Sequence, residues 1–179
     1  RRMDSLNMAK TSAQEMASLV FNEKCEISIG DNDNETAEFI FDVFKRNKFN
    51  KKFQDYLEYM FAIGGMVAKP YVENEEIKIA FVTADCFIPI SWENDSIREA
   101  VFINETRKAK KYYTHLEWHV WINGVYTIRN ELYESDMPNE LGRKISLETL
   151  YPDLEEEVGI EGLKKPIFVY FKPNTANNF

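Results

Sequence analysis

The sequence predicts an α+β fold in which N-terminal helices, the first of them long, pack on an antiparallel β meander. Before residue 66, apolar side chains recur at steps of three and four, which is typical of helices. From residue 66 to 133, Val, Ile, Phe, Tyr and Trp alternate with polar residues and are interrupted by short polar turns. A helical part that precedes a strand-rich part favours α+β over alternating βαβ units.

The composition indicates a folded, acidic protein. The chain has 179 residues, of which 44% are hydrophobic and 14% aromatic, enough to bury a core. A net charge of −8 makes a nucleic-acid groove or an anionic membrane surface a poor expectation for the chain as a whole. The sequence shows no signal peptide and no apolar run of membrane-spanning length.

The two cysteines give no sign of a metal or redox motif. Cys25 and Cys86 lie far apart, without a second cysteine at CxxC spacing and without a nearby histidine. Both have apolar neighbours, so we expect buried, reduced side chains. An intracellular, reducing compartment fits this expectation.

The first predicted element is a helix that runs to about Asn22 and is followed by a short strand over 25–29, where apolar and polar residues alternate. We therefore expect an N-terminal helix over 1–24 and an α+β domain over 25–179. The narrow apolar seam of the helix consists of Leu6, Ala9, Ala13, Met16 and Val20.

The turn at residues 30–34 can cap the next helix through Asp33 or Asn34. The spacing of Asp31, Asp33 and Glu35 also fits the start of a calcium-binding loop. The rest of such a loop is missing, because the sixth position is Thr where Gly is needed and the twelfth is Asp where a bidentate Glu is expected. The sequence therefore predicts a capping turn at this place.

Two further helices are predicted, joined by the tight basic turn 45–48. Gly64 and Gly65 end the second of them and lead into the sheet. The aromatic stripes of the two helices are expected to lie in the core. The stripes are Ala37, Ile40, Phe41 and Phe44 in one helix, and Phe49, Phe53, Tyr56, Leu57 and Met60 in the other.

In the predicted sheet, 66–72 pairs with 77–82, and Pro70 places its strand at an edge or a bulge because proline cannot donate to a ladder. Strands over 85–92 and 97–105 follow. The next hairpin turn carries a basic cluster that could contact phosphate, but in most proteins a solvated turn carries such a cluster without a ligand. The cluster consists of Arg107, Lys108, Lys110 and Lys111.

The hairpin over 112–133 turns at Asn123 and Gly124. A two-residue turn would place Trp118 opposite Arg129 and would mix apolar with charged residues on one face. A three-residue loop with a bulge would place Trp118 opposite Ile128 and separate the faces. We therefore predict the bulged form.

The same hairpin holds both histidines, in the sequence His115-Leu-Glu117-Trp-His119. On a helix they would be spaced for zinc, but the zinc hydrolase motif places Glu directly after the first His, where Leu stands here. On a strand the two histidines are about 13 Å apart, too far for one ion. We therefore predict surface or interface histidines and no metal site.

The acidic run Asp153–Glu157 could provide acid–base carboxylates only in an apolar pocket. Its neighbours are polar, so a solvated loop is predicted. Upstream, Ser146 is expected to cap a single helical turn, and one more strand-like run follows at 166–172. From the residues alone we assign no catalytic, cofactor-binding or metal-binding residue.

Several segments, taken in order along nearly the whole chain, resemble the portal proteins of tailed phages and prophages of Gram-positive bacteria. None of them is a catalytic signature, but their order is hard to obtain by chance. The segments are Met8–Glu23, Cys25–Ile27, Gly64–Tyr71, Asp85–Ile90, Glu99–Phe102, Tyr113–Glu117, Phe171–Asn174 and Ala176–Asn178.

The resemblance implies a ring-shaped oligomer at one capsid vertex, usually a dodecamer, through which DNA is packaged and ejected. It implies a structural protein without enzymatic activity or cofactor, located in the virion and in the host cytoplasm during assembly. Expected partners are other portal subunits, capsid and scaffolding proteins, and, through the stem and clip regions beyond Phe179, terminase and DNA. The chain opens on Arg1, so we expect a fragment of a longer polypeptide, and the resemblance implies that this fragment is the outer wing region.

Two alternatives remain open at this point. One is a small α+β ligand-binding or enzymatic domain with a pocket near the 112–133 hairpin, where His115, Glu117 and His119 would supply polar groups. The other is a contact domain of a different assembly, in which the first helix docks a partner through Ala9 and Ala13.

Overall fold

The computed structural model describes residues 7–22, 24–30, 34–94 and 96–173, and the predicted α+β fold is confirmed. Every strand pair is antiparallel. The helices are α1 (Met8–Val20), α2 (Glu35–Arg46) and α3 (Phe49–Ile63); the strands are β1 (Met66–Glu73), β2 (Glu76–Thr83), β3 (Phe87–Glu93), β4 (Ser96–Lys108), β5 (Lys111–Ile122), β6 (Val125–Ser135), β7 (Arg143–Ile145), β8 (Glu157–Ile160) and β9 (Val169–Phe171).

The chain forms two compact units, and the strands form two sheets where one meander was predicted. The first unit holds the three helices and a three-stranded sheet in the order β2-β1-β9. The second unit, residues 85–167, holds a sheet in the order β3-β4-β5-β6-β7, in which β8 also pairs with β6. Strand composition alone does not show where one sheet ends and the next begins.

Helix boundaries in the first unit follow the predicted caps. The side-chain oxygen of Asn34 accepts from the Ala37 N–H at 2.7 Å, so the predicted N-cap of α2 is confirmed. Gly64, at φ 94°, ends α3, and its N–H donates to the Met60 carbonyl at 2.8 Å. Buried Asn47, in the basic turn between α2 and α3, accepts from the Ile79 N–H and thereby ties this turn to β2.

The buried side of α1 differs from the predicted seam. Ala13 and Ala17 are buried, whereas Met16 and Val20 are about half exposed. The two alanines let α1 approach closely, so the helix packs on small side chains and leaves its larger ones outside. The core cluster around Ala17 also includes Leu57, Met60 and Met66, with Phe21, Phe53, Tyr56, Phe61 and Phe171 packed against it.

The predicted strand over 25–29 is wrong. This segment is extended, and its residues alternate between half-buried and exposed, but it joins no ladder. A turn closed by the Cys25 N–H and the Asn22 carbonyl precedes it. The alternation of apolar and polar residues therefore arises because one side of an extended segment packs against the protein, and not because the segment pairs with a strand.

Pro70 occupies the kind of position that the sequence predicts. It lies opposite Ile79 on β2, and β9 pairs only with residues Met66 to Ala68 of β1. Beyond Ala68, β1 therefore has a strand neighbour on one side only among the described residues. The missing N–H of proline costs no ladder hydrogen bond at such an edge.

The β5–β6 hairpin has the two-residue turn, so the predicted bulge is wrong. Ile122 lies opposite Val125, and Trp118 lies opposite Arg129. The turn residues, 123 and 124, have φ of 51° and 81°, which fits a type I′ turn of the kind that suits the twist of the strands.

A cross-strand contact explains why the mixed face is tolerated. The Trp118 indole N–H donates to a Glu131 carboxylate oxygen at 3.1 Å, and Lys144 approaches the other oxygen at 2.8 Å. This face is half-buried, so it accommodates charged and aromatic side chains together.

Three smaller features complete the fold. Ser146 caps the short helical turn Leu147–Thr149, as predicted. No helix in the described part of the chain has the length and apolarity needed to cross a membrane. The predicted domain boundary between residues 24 and 25 stays a prediction; α1 and α3 belong to the same compact unit.

Candidate functional site

The most buried polar side chains of the second unit are Tyr126 and His119, with 0% and 1% of their surface exposed. Strand pairing brings them together, because Trp121 lies opposite Tyr126 and His119 is two residues before Trp121 on the same face. The Phe102 ring on β4 packs edge-on against the His119 ring at 4.9 Å between centroids. The pair therefore belongs to the core of this sheet.

Hydrogen bonds join three side chains into a chain. His119 Nδ1 lies 2.7 Å from the Tyr126 hydroxyl, and His119 Nε2 lies 2.6 Å from a Glu117 carboxylate oxygen. Burial raises the pKa of Tyr126 well above its ordinary value, which keeps the phenol protonated. We therefore assign the donors as Tyr126 O–H to Nδ1 and Nε2–H to the Glu117 carboxylate. The Tyr126 oxygen also accepts from the Ile167 N–H at 3.4 Å.

The other histidine has its own partner. His115 Nε2 donates to Asn130 Oδ1 at 3.0 Å, and the Asn130 amide donates in turn to the Glu155 carbonyl at 2.8 Å. The Asn130 N–H donates to the Glu156 carbonyl, also at 2.8 Å. These bonds hold the segment before β8 against the middle of β6.

The prediction of surface or interface histidines is wrong, since His115 and His119 are 8% and 1% exposed. The structure brings Glu117 and His119 into contact, whereas the hydrogen bonds of His115 lead to Asn130. The signal that sequence reasoning missed lies across the hairpin: in the two-residue register, Tyr126 and Asn130 fall on the same face as the histidines.

Chemically, this cluster is a hydrogen-bonded core, because its polar groups bond to one another and its ring members are almost inaccessible. In the described part of the chain, no group of three or more His, Cys, Asp or Glu side chains is placed to hold a metal ion. Asp31 and Asp33, of the calcium-loop pattern, lie outside the described residues.

The basic cluster lies at the turn between β4 and β5, as predicted. Its side chains divide into two groups. Lys111 is engaged, with Nζ 2.7 Å from a Glu134 carboxylate oxygen. Arg107, Lys108 and Lys110 are exposed and make no ion pair with a described residue; the Arg107 guanidinium lies 5.4 Å from the centre of the Tyr112 ring.

Two cations flank the Glu134 carboxyl group and strongly lower its pKa. Hydrogen bonds from Lys111, at 2.7 Å, and Arg143, at 2.9 Å, lower the pKa of Glu134 to about 2. The carboxylate is therefore ionised at neutral pH and links β5, β6 and β7 at one end of the sheet.

The acidic run is a solvated segment, as predicted. Asp153, Glu155 and Glu156 are exposed and make no ion pair with a described residue. Glu157 begins β8 and pairs with Arg129 at 3.3 Å.

The first unit contains an open cavity of about 520 Å³ beside the turn between α2 and α3. Phe41, Phe44 and Phe49 form its apolar wall, and Cys25 and Ile27 line it from the extended segment. Lys45, Lys48 and Lys51 line it as well, on the polar side. Cys25 and Cys86 are not joined in a disulfide and are half-buried, so the prediction of buried thiols is wrong.

The comparisons with known proteins agree with the segments quoted above. A family model described as "Phage portal protein, SPP1 Gp6-like" matches residues 1–165. The chain belongs to this phage portal protein family. A search of curated proteins found no match.

Membership confirms the predicted resemblance and indicates a structural, non-enzymatic role in the phage particle. A structural role accounts for the buried hydrogen bonds that join Tyr126, His119 and Glu117, without any catalytic role. It satisfies polar groups inside a long-stranded sheet, and a fully satisfied network favours a single register.

Proposed function

We propose that this chain is the outer, wing-like part of a subunit of a ring-shaped portal at one capsid vertex, through which DNA is packaged and ejected. The observation that carries the proposal is the family match over residues 1–165. The fold supports it, because each unit contains an antiparallel sheet and the second unit has a hydrogen-bonded core, as suits a structural protein.

The finer parts of the proposal concern partners and place. The subunits contact one another in the ring, a dodecamer in the full-length protein, and contact capsid and scaffolding proteins around it. Terminase and DNA engage parts of the protein outside this sequence. The ring assembles in the host cytoplasm and resides in the virion. Residues 1–24 form the N-terminal helix of this part, and residues 25–179 form its α+β wing-like domain.

The pocket alternative receives less support from the hairpin. It requires His115, Glu117 and His119 to converge on a cavity, whereas the polar atoms of His119 converge on Tyr126 and Glu117. A ligand would have to break these bonds to reach the histidine. The architectural role needs no such rearrangement.

The proposal is tested on the purified full-length protein by light scattering and negative-stain imaging of the same sample. We expect a mass of many subunits and closed rings with a central channel. A monodisperse monomer would contradict the proposal and would return attention to ligand binding by the second unit.

A further inference from the structure

Two exposed surfaces of opposite charge lie in the second unit, and each lacks ion pairs with the described residues. We call Arg107, Lys108 and Lys110 the basic hairpin tip, and Asp153, Glu155 and Glu156 the acidic segment. Ion pairs occupy neighbouring charges at both places, since Lys111 binds Glu134 and Glu157 binds Arg129. The six remaining charges, three of each sign, face solvent in a single copy.

The two surfaces are held apart within that copy. Asn130, in the middle of β6, binds the carbonyls of Glu155 and Glu156 and thereby fixes the acidic segment. The tip lies beyond Tyr112, which pairs with Ser135, five residues further along β6. At about 3.4 Å per residue, Asn130 and Ser135 are about 17 Å apart along β6. Among the described residues of one copy, no ion pair joins the basic hairpin tip to the acidic segment.

Both surfaces are accessible to a second copy. Beyond Phe102 the outer edge of β4 has no further strand neighbour among the described residues, and residues 104–110 are exposed, while β5 stays paired with β6 as far as Tyr112. The turn residues Ala109 and Lys110 adopt φ of 49° and 69°, which makes the turn tight. The Tyr112 ring restrains the Arg107 guanidinium. Beside the acidic segment, Leu154 is 38% exposed and offers an apolar anchor.

We propose that the basic hairpin tip of one copy docks on the acidic segment of a second copy, a contact that rests on the ring proposed above. Two different surfaces that complement each other give a head-to-tail contact, and such contacts generate rings when the rotation closes. Each surface is thus covered by the complementary surface of another copy of the same chain. Charge complementarity of three against three fixes the orientation of the subunits.

Nucleic acid is the other class of partner that a basic tip could attract. The number of cations argues against it, because three cations neutralise only a few phosphates, whereas the acidic segment matches them one for one. An acidic segment of the same protein is a smaller, local anion. The second copy is therefore favoured, and nucleic acid becomes an outcome of the test.

The test uses three charge-reversal variants of the full-length protein. The tip variant carries R107E, K108E and K110E, and the segment variant carries D153K, E155K and E156K. A matched control reverses Lys45, Lys48 and Lys51, which are exposed and make no ion pair with a described residue. Their reversal changes the net charge by the same amount as the tip variant does. Circular dichroism confirms that each variant is folded.

We expect the tip and segment variants to lose rings, with the subunit dissociation constant raised by about tenfold or more, and the control to assemble as the unaltered protein does. In a ring that alternates the two reversed variants, every contact joins opposite charges, so rings return in the mixture. Combining both reversals in one chain restores them as well. The readouts are mass by light scattering and the fraction of rings in negative-stain images.

Two results would overturn the contact. The first is a tip variant whose rings have the same mass as those of the unaltered protein and respond to salt in the same way; the proposed portal function would remain intact. If that variant also lost binding to a DNA duplex, the tip would be assigned to nucleic acid. If the unaltered protein forms no ring, the proposed function fails. The mixing assay still decides the contact, since absence of association between the two variants at high concentration overturns it.

Discussion

At the scale of single residues, the second unit is organised around side chains that occupy one another's hydrogen-bonding groups. His119 has a partner on each ring nitrogen, and Asn130 bonds through its side chain and its backbone. Because buried polar groups cost free energy when they lose a partner, these residues set a measurable part of the stability. Sequence reasoning excluded a zinc site here, but it placed the histidines on the surface because it lacked the hairpin register.

Replacing Tyr126 by Phe should destabilise the protein. The change removes the donor to His119 Nδ1 and the acceptor of the Ile167 N–H inside the sheet. We expect the free energy of unfolding to fall by about 1–3 kcal/mol. Urea unfolding followed by tryptophan fluorescence measures it. The matched control is Tyr133→Phe, whose hydroxyl bonds to Glu131 on the half-buried face, and equal losses in the two variants would contradict the assignment.

Glu134 should make the stability depend on acid. Lys111 and Arg143 lower its folded-state pKa from 4.5 to about 2, so the unfolded chain binds the proton first as the pH falls. The contribution is therefore complete above pH 4.5 and is lost as the pH falls towards 2.

The comparison of Glu134→Gln with the unaltered protein measures this contribution. Between pH 5 and pH 2, the midpoint temperature of thermal unfolding should fall less steeply in the variant, because the amide has no proton to gain. Glu140→Gln, at an exposed position without an ion pair to a described residue, serves as the control. Identical pH profiles for all three proteins would rule out a role for Glu134.

At the scale of elements, local signals determined what the sequence could predict. The Asn34 cap, the Gly64 stop and the apolar stripe of α3 rest on short-range chemistry, and all three are confirmed. The 25–29 strand and the register of the β5–β6 hairpin depend on distant partners, and both predictions are wrong. A mixed face looked unfavourable in isolation, but the Trp118–Glu131 hydrogen bond stabilises it.

The packing of α1 makes its own prediction. Ala17 is 1% exposed and is part of the core cluster with Leu57 and Met60, whereas Ala9 is exposed. Ala17→Leu should overpack this contact and lower the free energy of unfolding by about 1–3 kcal/mol. Ala9→Leu, the same change on the same helix, should alter it by less than about 0.5 kcal/mol. Urea unfolding of both variants decides, and equal effects would show that α1 does not pack through Ala17.

At the scale of the whole molecule, the sequence predicted the fold class and, through ordered segments, the family, because both rest on patterns that extend along the chain. It did not predict two units, since β2 and β3 have similar composition and the pairing of β9 with β1 joins residues about a hundred positions apart. The charged surfaces were visible in the sequence. Only the structure separates the engaged Lys111 from the solvated Arg107, Lys108 and Lys110.

The central claim is that this chain forms the outer part of a portal ring. Single-particle electron microscopy of the full-length protein tests it most directly, because the map shows both closure and the place of each sheet. We expect a closed ring with the sheets of this chain at its periphery, away from the channel. A monomer, an open filament, or a ring whose channel wall is formed by these sheets would contradict it.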